Sequence, residues 1–253
     1  MKRISVDIGG TFTDCFVVWD NKYIETKALT THQNLALGFN EALEKAYQEL
    51  GVSMTELLAG VDSVRYATTL GTNALIEHNG PRIGMLVTAG YEAMVPLSRA
   101  RGYGEGLDDL GKQNLPDAQR PVPLVLPSMI EGVRERLGFE GELVMPVDED
   151  DVRQKIRTLV DKGAQVIVIC LVNSVVNPAH EKRVEEILLE EYPTHLLGSI
   201  PVILSHRVAG RKGEYVRATS AIVDGYLHST MYHAMSQLEQ NLRANSYSKP
   251  MLV

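Results

Sequence analysis

A chain of 253 residues is long enough for one large domain or two small ones around a real core, and 44% apolar with 23% charged residues is ordinary globular composition. A formal net charge of −7 argues against a nucleic-acid surface, which needs Lys and Arg in excess. No apolar run approaches the roughly 20 residues that a membrane span requires, so neither a nucleic-acid nor a membrane partner is expected. The first residues run straight into an apolar strand containing Asp7, so no leader is expected. Cys15 and Cys170 lie far apart in apolar runs and fit two buried free thiols in a reducing compartment, with the cytoplasm as the default.

In chain order, residues 4–8 read as a buried strand, 15–19 as a second across a Gly-Gly turn, and 23–29 as a third, giving an antiparallel meander. Residues 34–50 carry apolar side chains at helical spacing and end at Gly51. A short helix over 54–59, a strand over 61–67, a helix over 70–78, a strand over 82–87 and a helical turn over 91–97 follow. From 98 to 127 the chain is rich in Gly, Pro, Asp and Arg without periodicity, the pattern of a functional loop or an excursion. Residues 130–137 and 142–145 read as a hairpin. Asp148 caps a helix over 151–162 whose acidic first turn suits the helix dipole. A strongly apolar strand follows over 165–172, then a helix opened by Asn177 with Pro178 at its first position, and a strand over 200–204. One long helix spans 214 to about 245, and Met251 begins another strand.

The stretch VDIGGTFTD, residues 6–14, carries the most chemistry. A phosphate chain needs backbone N–H groups turned toward it, and glycine lets a backbone come close without a Cβ in the way. Threonine hydroxyls add neutral donors. Asp7, at the end of a strand, is the kind of carboxylate that holds Mg²⁺ through water; Asp14 is placed to bind the metal as well or to position a nucleophile. A tight hairpin whose glycines serve only the turn fits the spacing equally well. The stretch is neither a P-loop nor a dinucleotide fingerprint, so neither of those mechanisms transfers.

This stretch resembles the first phosphate loop of the actin-like ATPase and sugar-kinase superfamily. More narrowly it resembles the N-terminal region of the hydantoinase A, 5-oxoprolinase and acetone/acetophenone carboxylase family. Four further blocks match in order: ATTLGTNALIE (67–77), VRERLGFEGELVMPVDEDDV (133–152), NSVVNPAHEKRVEEIL (173–188) and RATSAIVDGYL (217–227). The resemblance implies an α/β fold with a ribonuclease-H-like mixed sheet, an inserted α/β subdomain, and the family's C-terminal lobe absent from this chain. It implies three parts: a phosphate-loop part over 1–97, the inserted subdomain over 98–205, and the long helix over 206–253 leading toward the second lobe.

The resemblance also implies function. Family members use ATP to activate an unreactive amide or carbonyl by phosphorylation, either opening cyclic amides or carboxylating ketones. By that analogy Gly9, Gly10, Thr11 and Thr13 would cradle phosphates, Asp7 would hold Mg²⁺, and Asp7 and Asp14 would be the catalytic carboxylates. Gly71, Thr72 and Asn73 open a helix after a strand, a position suited to an anion or a polar substrate and equally to simple capping. A second catalytic subunit of the hydantoinase B type is the implied partner, with a small amide or ketone as substrate. Alone, the chain is expected to bind ATP weakly or not at all and to be inactive. A small-molecule kinase of the same superfamily and a non-catalytic lobe used for subunit assembly are the alternatives.

The remaining features are weaker. Arg99 and Arg101, in a glycine-rich loop, would grip a carboxylate or phosphate bidentately, although a solvated loop or a subunit contact accounts for them as well. The seven histidines form no metal set: His228 and His233 are five apart, and His180-Glu181 lacks a second ligand. A catalytic Cys15 is disfavoured by its place in a strand.

Overall fold

The computed structural model describes residues 2–31, 34–98, 102–114, 116, 118, 120, 122–195 and 199–253. They form two compact units, one comprising the chain up to Gly80 together with Leu227–Val253, the other Pro81–Tyr226. The parts expected from the sequence divide at 97/98 and 205/206, whereas the compact units divide at 80/81 and 226/227. The strand at 83–88 pairs within the second unit, so the break falls ahead of it, while the long helix belongs to both units.

In the first unit β1 (Lys2–Ile8), β2 (Phe12–Trp19) and β3 (Lys22–Leu29) form the expected meander. Alternation decides its faces: Ile4, Val6, Ile8, Cys15, Val17, Ile24 and Ala28 are buried, while Asp7, Phe16 and Tyr23 are exposed. The helix α1 (Leu35–Leu50) covers the apolar face with Phe39, Ala42, Leu43 and Ala46. Its ends follow capping chemistry. The Asn34 side chain accepts from the Ala36 amide at 3.1 Å, and Gly51 turns left-handed at φ 72° to close the last turn. After α2 (Met54–Gly60), β4 (Ser63–Thr68) lies parallel to β1 and leads into α3 (Leu70–Ile76). At the end of the chain β11 (Met251–Leu252) pairs parallel to β4. The resulting order, β11-β4-β1-β2-β3, three antiparallel strands continued by parallel ones, is the ribonuclease-H-like mixed sheet.

The second unit is built on an all-parallel sheet in the order β10-β9-β5-β6. Its strands are β5 (Ile83–Thr88), β6 (Ile130–Val133), β9 (Val166–Cys170) and β10 (Val202–Leu204). Both β5 and β9 are buried at every position, which is why they read as unbroken apolar runs. Among the described residues, α4 (Met94–Leu97) and 3-10 turns at Gly111–Gln113 and Pro127–Met129 lie between β5 and β6. The crossovers carry α5 (Glu149–Asp161), capped by the Asp148 side chain, and α6 (Ala179–Glu191). A short α7 (Ser205–Val208), unread in the sequence, follows β10, and α8 (Glu214–Ala244) ends the unit and continues into the first.

Two local expectations change. Residues 130–133 join the parallel sheet beside β5 rather than a hairpin, and only β7 (Arg136–Leu137) pairs with β8 (Leu143–Met145). The break between β6 and β7 falls at Arg134-Glu135, where the Glu135 carboxylate turns inward to the Thr88 hydroxyl and to His180. Pro178 precedes α6 rather than opening it, and Asn177 supplies the cap by accepting the Ala179 amide at 3.0 Å. Among the described residues no helix is long and apolar enough to cross a membrane.

Candidate functional site

The loop joining β1 to β2 is three residues long, and its geometry follows from few hydrogen bonds. The Gly9 amide donates to the Phe12 carbonyl at 2.9 Å, and the Thr30 hydroxyl donates to the Gly9 carbonyl at 2.9 Å. The Thr30 amide donates to the Thr11 carbonyl at 2.9 Å. With the carbonyls of Gly9 and Thr11 taken, the amides of Gly10 and Thr11 are the groups left over: no described residue accepts from them. A Cβ on Gly9 would stand 3.3 Å from the Phe12 carbonyl, and one on Gly10 would stand 3.4 Å from the Asn73 amide nitrogen. Neither glycine adopts a positive φ, so their value here is close approach and not a left-handed turn.

The loop opens on a cavity of about 460 Å³. Gly9, Gly10 and Thr11 form one side, and Asn73, Glu77 and Asn79 from α3 and the turn after it form another. Thr30, Thr68 and Thr230 contribute hydroxyls, and Ile8, Leu35, Leu70 and Ala74 supply an apolar wall. The Thr68 hydroxyl donates to the Ile8 carbonyl at 3.0 Å and accepts the Leu70 amide at 3.0 Å, which fixes how β4 turns into α3.

The predicted residues do not all converge there. Thr13 lies within β2, fully buried, its hydroxyl 3.1 Å from that of Thr30, so it braces the loop from behind. Gly71 packs toward Leu227 and Met231 of α8, and Thr72 is exposed; of that trio only Asn73 lines the cavity. Asp7 and Asp14 are register partners on adjacent strands, so directly opposed Cα atoms set the two carboxylates side by side on one face of the sheet. They line a second, larger cavity of about 690 Å³ over the open sheet face, with Phe16, Glu25, Arg65 and Leu252. Asp14 also pairs with Lys27 at 3.0 Å, both half-exposed. Cys15, next in β2, is pushed up to about 12 by burial, so it remains a thiol at neutral pH. Arg99 and Arg101 lie outside the described residues.

Sequence reasoning missed Glu77, Asn79 and Thr230. Asn79-Gly80-Pro81 carries a helix-stop signal, and that signal hid the carboxylate and amide that the stop delivers to the cavity. It also missed the polar interior of the second unit. There Glu181 accepts the Leu171 amide at 3.0 Å, the Ser205 hydroxyl at 2.6 Å and the His206 amide at 3.2 Å, and lies 2.6 Å from His206 Nδ1. Arg217, fully buried, donates to the Leu171 carbonyl at 2.8 Å and the Ser205 hydroxyl at 3.0 Å. These groups tie the carboxyl ends of β9 and β10 to the starts of α6 and α8. Ser205 is sealed and bonded to a carboxylate rather than to an imidazole, which is not the arrangement of a nucleophile.

The strand order and the inserted parallel unit define the fold class, a ribonuclease-H-like α/β protein of the actin-like ATPase type with an insertion. The chain belongs to the hydantoinase/oxoprolinase N-terminal region family, whose model matches residues 3–192. It is 40% identical over 247 residues to the acetophenone carboxylase gamma subunit of Aromatoleum aromaticum, covering 98% of this chain and 34% of that protein. Among solved structures it resembles nucleotide-free acetone carboxylase, from work on ATP-dependent acetone carboxylation, with a TM-score of 0.89 at 29% identity over 99% of this chain and 36% of that one. The ATP-dependent caprolactamase of Pseudomonas jessenii matches with a TM-score of 0.84 at 26% identity, over 98% of this chain and 35% of its own. The chain spans about a third of the length of these relatives.

Proposed function

We propose that this chain is the phosphate-loop part of an ATP-dependent enzyme that activates a carbonyl oxygen by phosphorylation, as a subunit of a ketone carboxylase or a cyclic-amide hydrolase. The observation that carries the reading is the Gly9–Thr11 loop, which lines a cavity together with Asn73 and whose Gly10 and Thr11 amides have no acceptor among the described residues. Backbone amides at a Cβ-free turn suit a phosphate, and the space beside Gly10 is what a side chain would fill. When bound, Mg-ATP would supply the phosphoryl group that turns a poorly reactive carbonyl or enol oxygen into a leaving group.

The residues of this chain then position and neutralise charge. Gly10 and Thr11 would hold phosphate oxygens through their amides. Asp7, with Asp14 opposite it, would hold a hydrated magnesium ion, which usually takes only one or two carboxylates and keeps its remaining water. Asn73 would orient the acceptor. The similarity to acetophenone and acetone carboxylases favours ketone carboxylation over ring opening. A partner subunit and the rest of the polypeptide would complete the enzyme.

The test uses the complete natural protein with its partner subunits, whose intact mass is established first. ATP consumption that depends on an added ketone and bicarbonate, and that is lost in Asp7→Ala, is the expected result. ATP consumption driven only by a lactam moves the assignment to amide hydrolysis. A stable phosphorylated product without carboxylation makes the protein a small-molecule kinase, and no ATP turnover in the complete assembly overturns the proposal.

A further inference from the structure

The two-stranded ribbon β7–β8 is separate from the parallel sheet of the second unit. β7 is its anchored side: Leu137 is buried, and its carbonyl accepts the Asn173 side-chain amide at 3.1 Å. The turn is pinned as well. The Gly141 carbonyl accepts the Asn177 side-chain amide at 2.8 Å, and the Gly138 amide donates to the Glu142 carbonyl at 2.9 Å. β8 is the outer side, and no described strand pairs with its other edge. Successive strand residues point to opposite faces, yet Leu143 (64%), Val144 (62%) and Met145 are all exposed, so neither face of β8 is covered. Phe139 in the turn is exposed too, although Lys212 Nζ stands 3.8 Å from its ring centre.

The edge strand of the first sheet is built differently. Lys22, Glu25 and Lys27 lie along β3, and Lys45 Nζ donates to the Lys27 carbonyl at 2.7 Å, the usual guards against pairing with another chain. β8 has no charged residue and is stopped only by Pro146. We infer that β8 is the docking edge for an extended strand of a different subunit, apolar beside Leu143, Val144 and Met145 and flanked by lysine or arginine. The inference rests on the partner subunit of the proposed function. Free backbone groups along a strand edge are satisfied by another strand, and a ribbon already held at β7 and at its turn loses little freedom on pairing. Exposed Glu140 and Glu142 precede β8 and exposed Asp150 follows it, so two copies paired through β8 would bring like charges together, whereas basic flanks would be attracted.

The test uses the complete natural assembly. A photo-crosslinking p-benzoylphenylalanine replaces Val144, and hydrogen exchange over 143–145 is compared between the assembly and the same polypeptide alone. The crosslink is expected on an apolar segment of a different subunit with lysine or arginine at its flanks, and exchange should slow about tenfold or more on assembly. Val144→Lys should weaken subunit association about tenfold or more while the melting temperature of the polypeptide alone stays unchanged. Glu140→Lys/Glu142→Lys should weaken it less and reduce its salt dependence. A crosslink to a second copy or within the same polypeptide overturns the inference, as does exchange equally fast in both states or undiminished association of Val144→Lys. ATP turnover is followed in parallel: an assembly that turns over ATP with β8 uncovered removes the inference alone. A natural protein that holds no second subunit removes the inference and the proposed partner together.

Discussion

The two units of this chain handle their charged groups in opposite ways. In the first, carboxylates stand at the surface: Asp7 and Asp14 are side by side on an open sheet face, and Glu77 opens on the loop cavity. In the second, Glu135, Glu181 and Arg217 are buried and saturated with hydrogen bonds at the carboxyl ends of parallel strands. A buried charge holds structure only when each of its bonds is made, whereas a solvent-facing carboxylate stays free to meet a ligand. The richest network therefore lies in the second unit, while the proposed phosphate site lies in the sparsely bonded loop of the first.

The sharpest way to break this contrast is Glu181→Leu. Removing the carboxylate strands the donors of Leu171, Ser205 and His206, so a loss of about 3–5 kcal/mol is expected, read by urea denaturation with hydrogen exchange reporting on the second unit. Next comes Asp7→Ala. Stability should move by no more than about 0.5 kcal/mol, while ATP-dependent turnover of the complete enzyme falls roughly a hundredfold. A large stability loss with turnover intact would reverse the assignment of the two regions.

Packing of α1 on the first sheet gives the third prediction. A Cβ at Gly38 would stand 2.5 Å from the Leu29 carbonyl, so Gly38→Ala should cost about 1–3 kcal/mol in the urea midpoint. A smaller effect concerns the thiols. Burial pushes Cys15 up to about 12 and Cys170 up to about 11, from an ordinary 9.0. Above pH 9 the unfolded chain loses protons that the folded chain keeps, so this contribution is intact below pH 9 and declines as pH rises toward 11. The urea midpoint should therefore fall between pH 8 and pH 10, and fall less in a Cys15→Ala/Cys170→Ala double variant. Smallest of all, millimolar Mg-ATP should leave the melting temperature of the 253-residue chain unchanged; a substantial rise would mean that this piece alone makes a competent nucleotide site.

Much of the architecture was legible because its periods are strong. The meander follows from alternation over 4–29, α1 from its 3.6-residue spacing between Asn34 and Gly51, and β5 and β9 from unbroken apolar runs. The place of β6 was not legible. Four residues containing a glycine look like a hairpin arm, and the partner they choose, β5, is remote in sequence. Within the site, the glycine loop could be read from local chemistry. Glu77, Asn79 and Thr230 could not, because their meeting depends on how a helix ends and on a second helix arriving from the far side of an insertion. Thr13 shows the converse: its residue type suited a phosphate, and strand alternation turned it inward.

The pairing of β11 with β4 has a kinetic consequence. The Val64 amide donates to the Tyr247 hydroxyl at 2.9 Å across 183 positions of chain, and the Tyr247 hydroxyl in turn donates to the Pro250 carbonyl. Closing so long a loop costs entropy before any contact rewards it, whereas Pro81–Tyr226 is one continuous segment able to collapse by itself. On a ribosome the second unit is complete while β11 of the first is still to be made. The second unit can therefore be complete before β11 joins β4 in the sheet that carries the glycine loop.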